Sequence, residues 1–129
     1  MTYTNPRELH PSVQRDLMPI RTATASITGD TQVLINDSAV GDTQTLFVWG
    51  VSFNTSSEPL VTVSVQEHSG STSYMKFGAS RNAGFQWQGS SPIAFTRGKG
   101  IQVTNAASAA LATQLSTTIS VVTVFYQIV

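Results

Sequence analysis

The segment STTISVVTVFYQIV, residues 116–129, is β-prone and largely apolar on both of its faces. Side chains of a strand point alternately to opposite faces, so the segment divides into two sets. One set is Ile119, Val121, Thr123, Phe125 and Gln127, and the other is Val122, Val124, Tyr126 and Ile128. A strand with one face in solvent normally alternates apolar and polar residues. Both faces of the segment are therefore predicted to be buried. One would lie inside its own domain, and what covers the other has to be identified.

The same period of two recurs along residues 27–129, between segments rich in turn-forming residues. In LVTVSVQE (60–67) the alternation places Val61, Val63 and Val65 on the inner face. In TLFVWGVSFN (45–54) it places Phe47, Trp49, Val51 and Phe53 on one face. Gly50 falls on the opposite face, which indicates a bulge or a close backbone approach. Roughly seven to nine short strands with frequent turns predict an all-β fold, an antiparallel β-sandwich or jelly roll.

Turn chemistry predicts how the strands are joined. The sequence HSGS (68–71) predicts a hairpin into residues 72–78, and RGKG (97–100) predicts a hairpin between IAFT (93–96) and IQVTN (101–105). GSSP (89–92) predicts a turn that separates FQWQ (85–88) from IAFT. Residues 105–115 are compatible with either a short helix or a loop of small residues.

Residues 1–26 differ from the rest of the chain, because they hold three of the five prolines and five of the fourteen charged residues. Prolines limit any helix there to one or two turns. We interpret residues 1–26 as an extended N-terminal arm and residues 27–129 as the β-domain. A disordered tail is the alternative, but the spaced apolar residues Leu9, Val13, Leu17 and Ile20 favour an arm that docks on a partner.

Composition excludes several classes of function. Seven basic and seven acidic residues give a formal charge of zero, and no basic stripe is available for nucleic acid. The chain contains no cysteine, so no disulfide or thiolate chemistry is expected. No apolar run reaches the ~20 residues of a membrane helix, and the polar N-terminus does not look like a signal peptide. We therefore expect synthesis in the cytosol and no membrane partner.

Candidate catalytic groups are few. Glu67 and His68 are adjacent, so a strand would point them to opposite faces, and a solvated turn is the favoured interpretation for both. His10 lies in the arm. The glycines of TRGKG lack the spacing of a phosphate-binding loop. Asp30, Asp37 and Asp42 fall in predicted turns, where turn-forming aspartate is the favoured interpretation over weak calcium binding. We expect no enzyme activity, no cofactor and no metal.

Three aromatic residues raise a second hypothesis. Trp49, Trp87 and Tyr74 are candidates for a surface on which sugars stack, which would make the protein a receptor- or glycan-binding module. Core packing is the favoured role for Trp49, because it alternates with Phe47, Val51 and Phe53. Trp87 lies between two glutamines near a Gly/Ser loop, and its role stays open.

Self-association is one explanation of how the second face of residues 116–129 is covered. Val122, Val124, Tyr126 and Ile128 would form an exposed apolar stripe in a monomer, and such stripes mark interaction sites. The small-residue segment AASAALA (106–112) would permit close packing of subunits. The competing answer is intramolecular, with the arm or residues 105–115 folded over that face.

The layout of the chain resembles small virion proteins of tailed bacteriophages, especially capsid decoration (cement) proteins. The resemblance lies in the polar, proline-containing arm, the Ser/Thr-rich β-domain and the ending PIAFTRGKGIQVTNAASAAL…STTISVVTVFYQIV, residues 92–129. In that family a hairpin with a GxGI motif, a small-residue loop and a terminal strand close a jelly-roll-like domain. The resemblance implies homotrimers on the capsid shell, with arms that contact capsid subunits, and it implies no catalytic residue.

These observations lead to one favoured expectation for function, and a tail or portal-proximal adaptor is a further alternative beside the glycan-binding module. The protein is predicted to be a non-enzymatic virion protein at the capsid surface, which decorates and stabilises the capsid as a homotrimer. Its partners would be the major capsid protein and other copies of itself. The predicted capsid contacts are Tyr3, Arg7, Leu9, Arg15, Leu17, Ile20 and Arg21. The predicted self-association residues are Val122, Val124, Tyr126 and Ile128. Arg97 and Lys99 are favoured as solvent-exposed turn residues, and the alternative is a basic pair that grips an acidic surface on a partner.

Overall fold

The computed structural model describes residues 19–27, 31–57, 60–70, 72–105 and 120–129. The described part is all-β, as predicted, with one short helix. Its elements are β1 (Arg21–Ser26), β2 (Thr31–Ile35), α1 (Asp37–Val40), β3 (Leu46–Thr55), β4 (Val61–Glu67), β5 (Ser73–Ala79), β6 (Phe85–Ala94), β7 (Ile101–Asn105) and β8 (Ser120–Ile128). No helix in these ranges has the length and hydrophobicity needed to cross a membrane.

The strands form two antiparallel sheets of four strands each. Sheet 1 has the order β1-β8-β3-β6, and sheet 2 has the order β2-β7-β4-β5. The pairs β1–β8, β2–β7, β3–β6 and β4–β5 are all antiparallel neighbours, so early strands pair with late strands in a nested series. Both sheets contribute side chains to one hydrophobic cluster, which is the arrangement of a β-sandwich.

The core between the sheets consists mainly of valines that alternate with outward residues. Val61, Val63 and Val65 of β4 are buried, which confirms the inner face predicted for that strand. β4 and β5, the strands on either side of HSGS, are antiparallel neighbours, so the predicted hairpin is also confirmed. β-branched side chains favour strands and fill a pleated surface well, which explains why this sequence builds its core from valine.

A bulge in β3 changes which residues of that strand face the core. The pairing register of β3 with both neighbouring strands shifts between Val48 and Gly50. Leu46 and Val48 face the core before the shift, and Val51 and Phe53 face it afterwards. The bulge predicted at Gly50 is therefore confirmed, whereas the single face predicted for Phe47, Trp49, Val51 and Phe53 is wrong. One extra residue reverses the alternation, so Trp49 and Val51 lie on opposite sides.

Two predicted connections differ from the structure. Residues 85–94 form one strand, β6. Its pairing with β3 is interrupted at residues 89–92, which lie opposite Trp49 alone in the register. GSSP is therefore an irregular stretch within a strand rather than a turn between strands. RGKG is not a hairpin turn, because β6 belongs to sheet 1 and β7 to sheet 2. A connection between two packed sheets uses the same glycine-rich turn chemistry as a hairpin does, so the residue types alone do not distinguish them.

The β-domain includes residues before its predicted start at residue 27. Arg21–Ser26, which the sequence assigned to the arm, form the edge strand β1 of sheet 1, and all six residues pair with β8. The choice between helix and loop for residues 105–115 falls almost entirely on residues 106–119, which lie outside the described residues.

Candidate functional site

The two faces of β8 have different environments, and this answers the question of what covers them. Val122 and Val124 have no exposed surface, and Tyr126 and Ile128 on the same face pack against the core. Sheet 2 therefore covers the face that was predicted to self-associate. For Val122 and Val124 this is a correction, since a side chain fully buried inside its own domain is not available to another chain. Self-association through the half-buried Tyr126 and Ile128 stays a prediction.

The opposite face of β8 belongs to the outer surface of sheet 1, which is uncharged. Paired residues of neighbouring strands project to the same face, so the pairing identifies the members of this surface. The described outer positions are Thr22, Thr24 and Ser26 of β1, Val121, Thr123, Phe125 and Gln127 of β8, Phe47, Trp49, Gly50, Ser52 and Asn54 of β3, and Gln86, Gln88 and Ala94 of β6. None of these positions carries a charged residue, although a solvent-facing sheet surface normally carries several.

A groove crosses this outer surface above Gly50. It encloses about 110 Å³ and is lined by Ile20, Trp49, Gln86, Trp87, Gln88 and Phe125. Phe125 is 37% exposed and Ile20 is 40% exposed, which makes them two of the three large apolar side chains most open to solvent in the described part of the chain. A Cβ atom on Gly50 would stand 3.2 Å from Cδ2 of Phe125 and 3.0 Å from the carbonyl oxygen of Trp87. The glycine thus lets the phenyl ring lie close to the backbone.

Trp49 is fixed at the edge of the groove by a side-chain hydrogen bond. Its indole Nε1–H donates to Oε1 of Gln127 at 2.8 Å. Trp49 is 3% exposed and Gln127 is 1% exposed, so the bond is shielded from water. Shielded hydrogen bonds hold a fixed geometry because water does not compete for the partners. At the bulge in β3, Trp49 and Gly50 both lie on the outer side, so the residues before and after the bulge, Val48 and Val51, both face the core.

A second cluster of polar groups, here named the loop clamp, joins three connecting segments at one end of the sheets. Asp37, at the start of α1, accepts a 2.7 Å hydrogen bond from the Gly100 amide through Oδ1 and a hydrogen bond from the Ser69 hydroxyl through Oδ2. The Asp37 amide donates to Nδ1 of His68 at 3.0 Å, and the His68 amide donates to the Gly100 carbonyl at 3.0 Å. Nζ of Lys99 lies 3.7 Å from Oδ2 of Asp37.

The clamp holds a serine, a histidine and an aspartate, but not in the order of a nucleophilic relay. In such a relay the imidazole stands between the hydroxyl and the carboxylate. Here the Ser69 hydroxyl donates directly to the Asp37 carboxylate. Nδ1 of His68 accepts from a backbone amide, so the proton of the neutral imidazole lies on Nε2. The arrangement cross-links loops, which is a structural use of these residues.

Glu67, beside the clamp, is buried rather than part of a solvated turn as the sequence suggested. It is 4% exposed, and its Oε1 accepts hydrogen bonds from the Tyr74 hydroxyl at 2.6 Å, the Thr96 amide at 3.1 Å and the Thr96 hydroxyl. A buried carboxylate is tolerated only when it is well hydrogen-bonded, and Glu67 meets that condition. It ties the end of β4 to β5 and to the segment that follows β6.

The contacts of the two carboxylates change their acidity. Burial alone would raise the pKa of Asp37, but hydrogen bonds from Ser69 and Gly100 and the nearby charge of Lys99 lower that pKa below its usual value. Burial alone would likewise raise the pKa of Glu67, but its bonds from Thr96 and Tyr74 and the charge of Lys99 lower that pKa below 4.5. Burial and the bond to Glu67 raise the pKa of Tyr74 above 10.0. Both carboxylates are therefore held in their charged form.

The remaining predicted site residues are placed as follows. Tyr3, Arg7, Leu9, Arg15 and Leu17 lie outside the described residues, as do His10 and Asp30. Ile20 and Arg21 are exposed where the chain enters β1. Arg97 is exposed and Lys99 is half-buried beside Asp37 and Ser69, and contact of the two with an acidic partner stays a prediction. Within the described ranges, no group of three or more His, Cys, Asp or Glu is close enough to hold a metal.

Sequence reasoning missed the clamp, which depends on contacts between residues 31 to 63 positions apart that no local pattern reveals. It found the groove only in part, because it named Trp49 and Trp87 as candidates for a sugar-stacking surface but not Phe125. A further signal was the pair of glutamines that flank Trp87 at positions projecting from the same face of a strand. Comparison of the chain with protein-family models, with curated proteins and with solved structures identifies no match.

Proposed function

We propose that this protein is a non-enzymatic virion component of a tailed bacteriophage, which decorates and stabilises the capsid as a homotrimer. We also propose that its β-sandwich is a jelly roll, an architecture common in viral capsid proteins. The nested pairing of β1 with β8, β2 with β7, β3 with β6 and β4 with β5 supports that assignment. The resemblance of residues 92–129 to decoration proteins supports the virion role.

One observation carries the proposal, namely how the N-terminal segment is attached to sheet 1. The segment leads through the exposed Ile20 into β1, and every residue of β1 is paired with β8. The Thr24 and Thr123 hydroxyls add a 3.0 Å hydrogen bond between the two strands. A capsid contact made by residues before Arg21 would therefore be attached to the centre of sheet 1 through a continuous ladder of hydrogen bonds.

The proposed mechanism is stabilisation by mass action. A ligand that binds only the assembled shell stabilises it by RT ln(1 + [L]/Kd), which is about 2.7 kcal/mol at a hundred times Kd. A homotrimer would attach at several points, which raises the overall affinity without any new kind of contact. Self-association would have to use surface other than Val122 and Val124, because both are buried within one chain.

Deletion of residues 1–18 tests the proposal, because it removes the segment and leaves β1 complete. We expect the shortened protein to fold and to lose binding to expanded capsids that lack the protein. Circular dichroism and co-sedimentation with capsids are the measurements, and sedimentation equilibrium gives the number of chains per particle. Unchanged capsid binding, or a purified protein that stays monomeric at all concentrations, would contradict the proposal. Deletion of residues 1–26 is the control for loss of β1 itself.

A further inference from the structure

We propose that the groove on the outer surface of sheet 1 binds one ring of an uncharged saccharide. The groove brings together an exposed aromatic ring, that of Phe125, and two exposed carboxamides, those of Gln86 and Gln88. The inference goes beyond the capsid role, which depends on the N-terminal segment. Ile20 is the single described residue that belongs to both surfaces.

The first argument is the chemistry of the lining. A pyranose ring has one face made of C–H groups and a rim of hydroxyls that both donate and accept hydrogen bonds. An aromatic side chain supplies a rigid apolar area for such a face. A carboxamide offers two donors and an acceptor, so it pairs with hydroxyls in either sense. Gln86 and Gln88 are two positions apart in β6 and project from the same side of the strand, next to the groove.

The second argument is the absence of charge. No residue that lines the groove is charged, and neither is any other described outer position of sheet 1. An anionic ligand would lose its hydration here without gaining a counter-charge. A wholly apolar ligand would cover the glutamine amides without offering them hydrogen bonds, which is unfavourable. A neutral polyol with one apolar face meets both conditions.

The third argument is that the walls of the groove are fixed before any ligand arrives. Trp49 is held by its bond to Gln127, and Phe125 lies against the backbone at Gly50. Side chains that are already ordered lose less conformational entropy on binding. The volume of about 110 Å³ suits one ring of a longer glycan, with its neighbours left on the uncharged surface.

Trp49 provides a direct readout because it lines the groove on the outer side, whereas Trp87, the other tryptophan of the chain, pairs with Val51 and packs against the core. The full-length protein would be titrated with glucose, galactose, mannose and N-acetylglucosamine and with neutral oligosaccharides of each, and intrinsic fluorescence would be recorded. A glycan array would extend the set of ligands, and titration calorimetry would confirm the affinities. We expect a saturable fluorescence change for at least one neutral series, with Kd on the order of 1 mM for a single ring.

Three variants locate the binding. Phe125→Ala and Gln88→Ala should each weaken binding of the best saccharide about fivefold, which corresponds to the loss of about 1 kcal/mol for an aromatic contact or a hydrogen bond. Leu60→Ala is the matched control, because Leu60 is 66% exposed and immediately precedes β4 of sheet 2. Circular dichroism would verify that all three variants are folded.

Two results would overturn the inference. One is the absence of any fluorescence or array signal with neutral saccharides. The other is binding that Phe125→Ala and Gln88→Ala leave unchanged. If Phe125→Ala instead converts an oligomer to a monomer, the surface belongs to a second copy of the chain and the saccharide assignment fails. Capsid binding by Phe125→Ala is measured in parallel, so that failure of this inference is distinguished from failure of the capsid role.

Discussion

The Trp49 indole and the Gln127 carboxamide form a 2.8 Å hydrogen bond on the outer side of sheet 1, where both side chains are nearly inaccessible to water. Outer sheet positions are usually solvated, so a buried pair of this kind marks a local departure from a simple sandwich. It lies at the bulge between Val48 and Gly50, where two successive residues, Trp49 and Gly50, are both on the outer side. The groove next to this pair depends on that departure.

A double-mutant cycle measures this bond. Trp49→Phe and Gln127→Met should each lower the free energy of unfolding by about 1–2 kcal/mol, and their coupling energy should be about 1 kcal/mol, because a shielded hydrogen bond is lost. Urea denaturation provides the values. The matched control is the Thr24–Thr123 pair, whose hydroxyl bond is exposed, and its coupling should be smaller. Equal coupling in the two cycles would contradict the role given to burial.

The stability of the protein should fall in acid because of Asp37 and Glu67. The pKa of each carboxyl is lower in the folded chain than in the unfolded chain, so the unfolded state binds more protons between the two values. The stabilisation is therefore complete above the unfolded pKa, near 4, and is lost as the pH falls through the folded pKa. Urea midpoints measured from pH 7 down to pH 2 would record the loss.

Glu67→Gln tests how much of this acid-induced loss of stability comes from Glu67. The change removes the charge but keeps the shape, so we expect a loss of about 1–3 kcal/mol at pH 7 and a much smaller difference at pH 2. Tyr74→Phe is the control, because it removes one donor to Glu67 and keeps the carboxylate. It should leave the acid-induced loss in place. A Glu67→Gln variant that is as stable as the native chain at pH 7 would refute the structural role of this group.

Replacement by alanine should cost different amounts of stability at the two glycines of the RGKG segment. A Cβ on Gly100 would lie 1.9 Å from the carbonyl oxygen of Ile35, so Gly100→Ala requires backbone movement and should cost about 3 kcal/mol or more. Gly98 has φ +79°, but a Cβ there would meet nothing closer than 3.6 Å. Gly98→Ala should therefore cost about 1–2 kcal/mol from backbone strain alone. Thermal unfolding of both variants tests the order, and the reverse order would contradict the placement of this segment.

Neighbouring residues of β8 should differ sharply when they are replaced by aspartate. Val124→Asp places an unpaired charge in the core, so the variant should fail to fold. Phe125→Asp places the charge on the outer surface, so the variant should remain folded with a modest loss of stability. Circular dichroism and size-exclusion chromatography distinguish these outcomes. A folded Val124→Asp variant would mean that the face assignment of β8 is wrong.

The sequence predicted the parts of the fold that local alternation determines. Val61, Val63 and Val65 were placed correctly because β4 has a regular pleat and one buried face. The assignment of Phe47 and Trp49 was wrong because a bulge reverses the alternation, and the position of Gly50 revealed the bulge but not its effect on the face. In β8 both faces are apolar, so alternation separated the two sets of residues without showing which set lies inside.

Other features depend on contacts that sequence patterns do not encode. RGKG has the residues of a hairpin, but whether the next strand joins the same sheet or the opposite one depends on the packing of the whole domain. Glu67 follows a strand and precedes a Ser/Gly turn, which favours a solvated position. Its burial depends on donors supplied by Tyr74 and Thr96, and Thr96 is 29 residues away in sequence.

The position of β8 between β1 and β3 has a consequence for how the chain folds. In its sheet β1 has no neighbour other than β8, and the Thr24–Thr123 contact spans 99 positions. During synthesis β1 therefore cannot pair with β8 until about a hundred further residues have left the ribosome. Proteins dominated by such distant pairings fold slowly, on the order of milliseconds to seconds. The N-terminal segment would be accessible to chaperones and proteases throughout that interval.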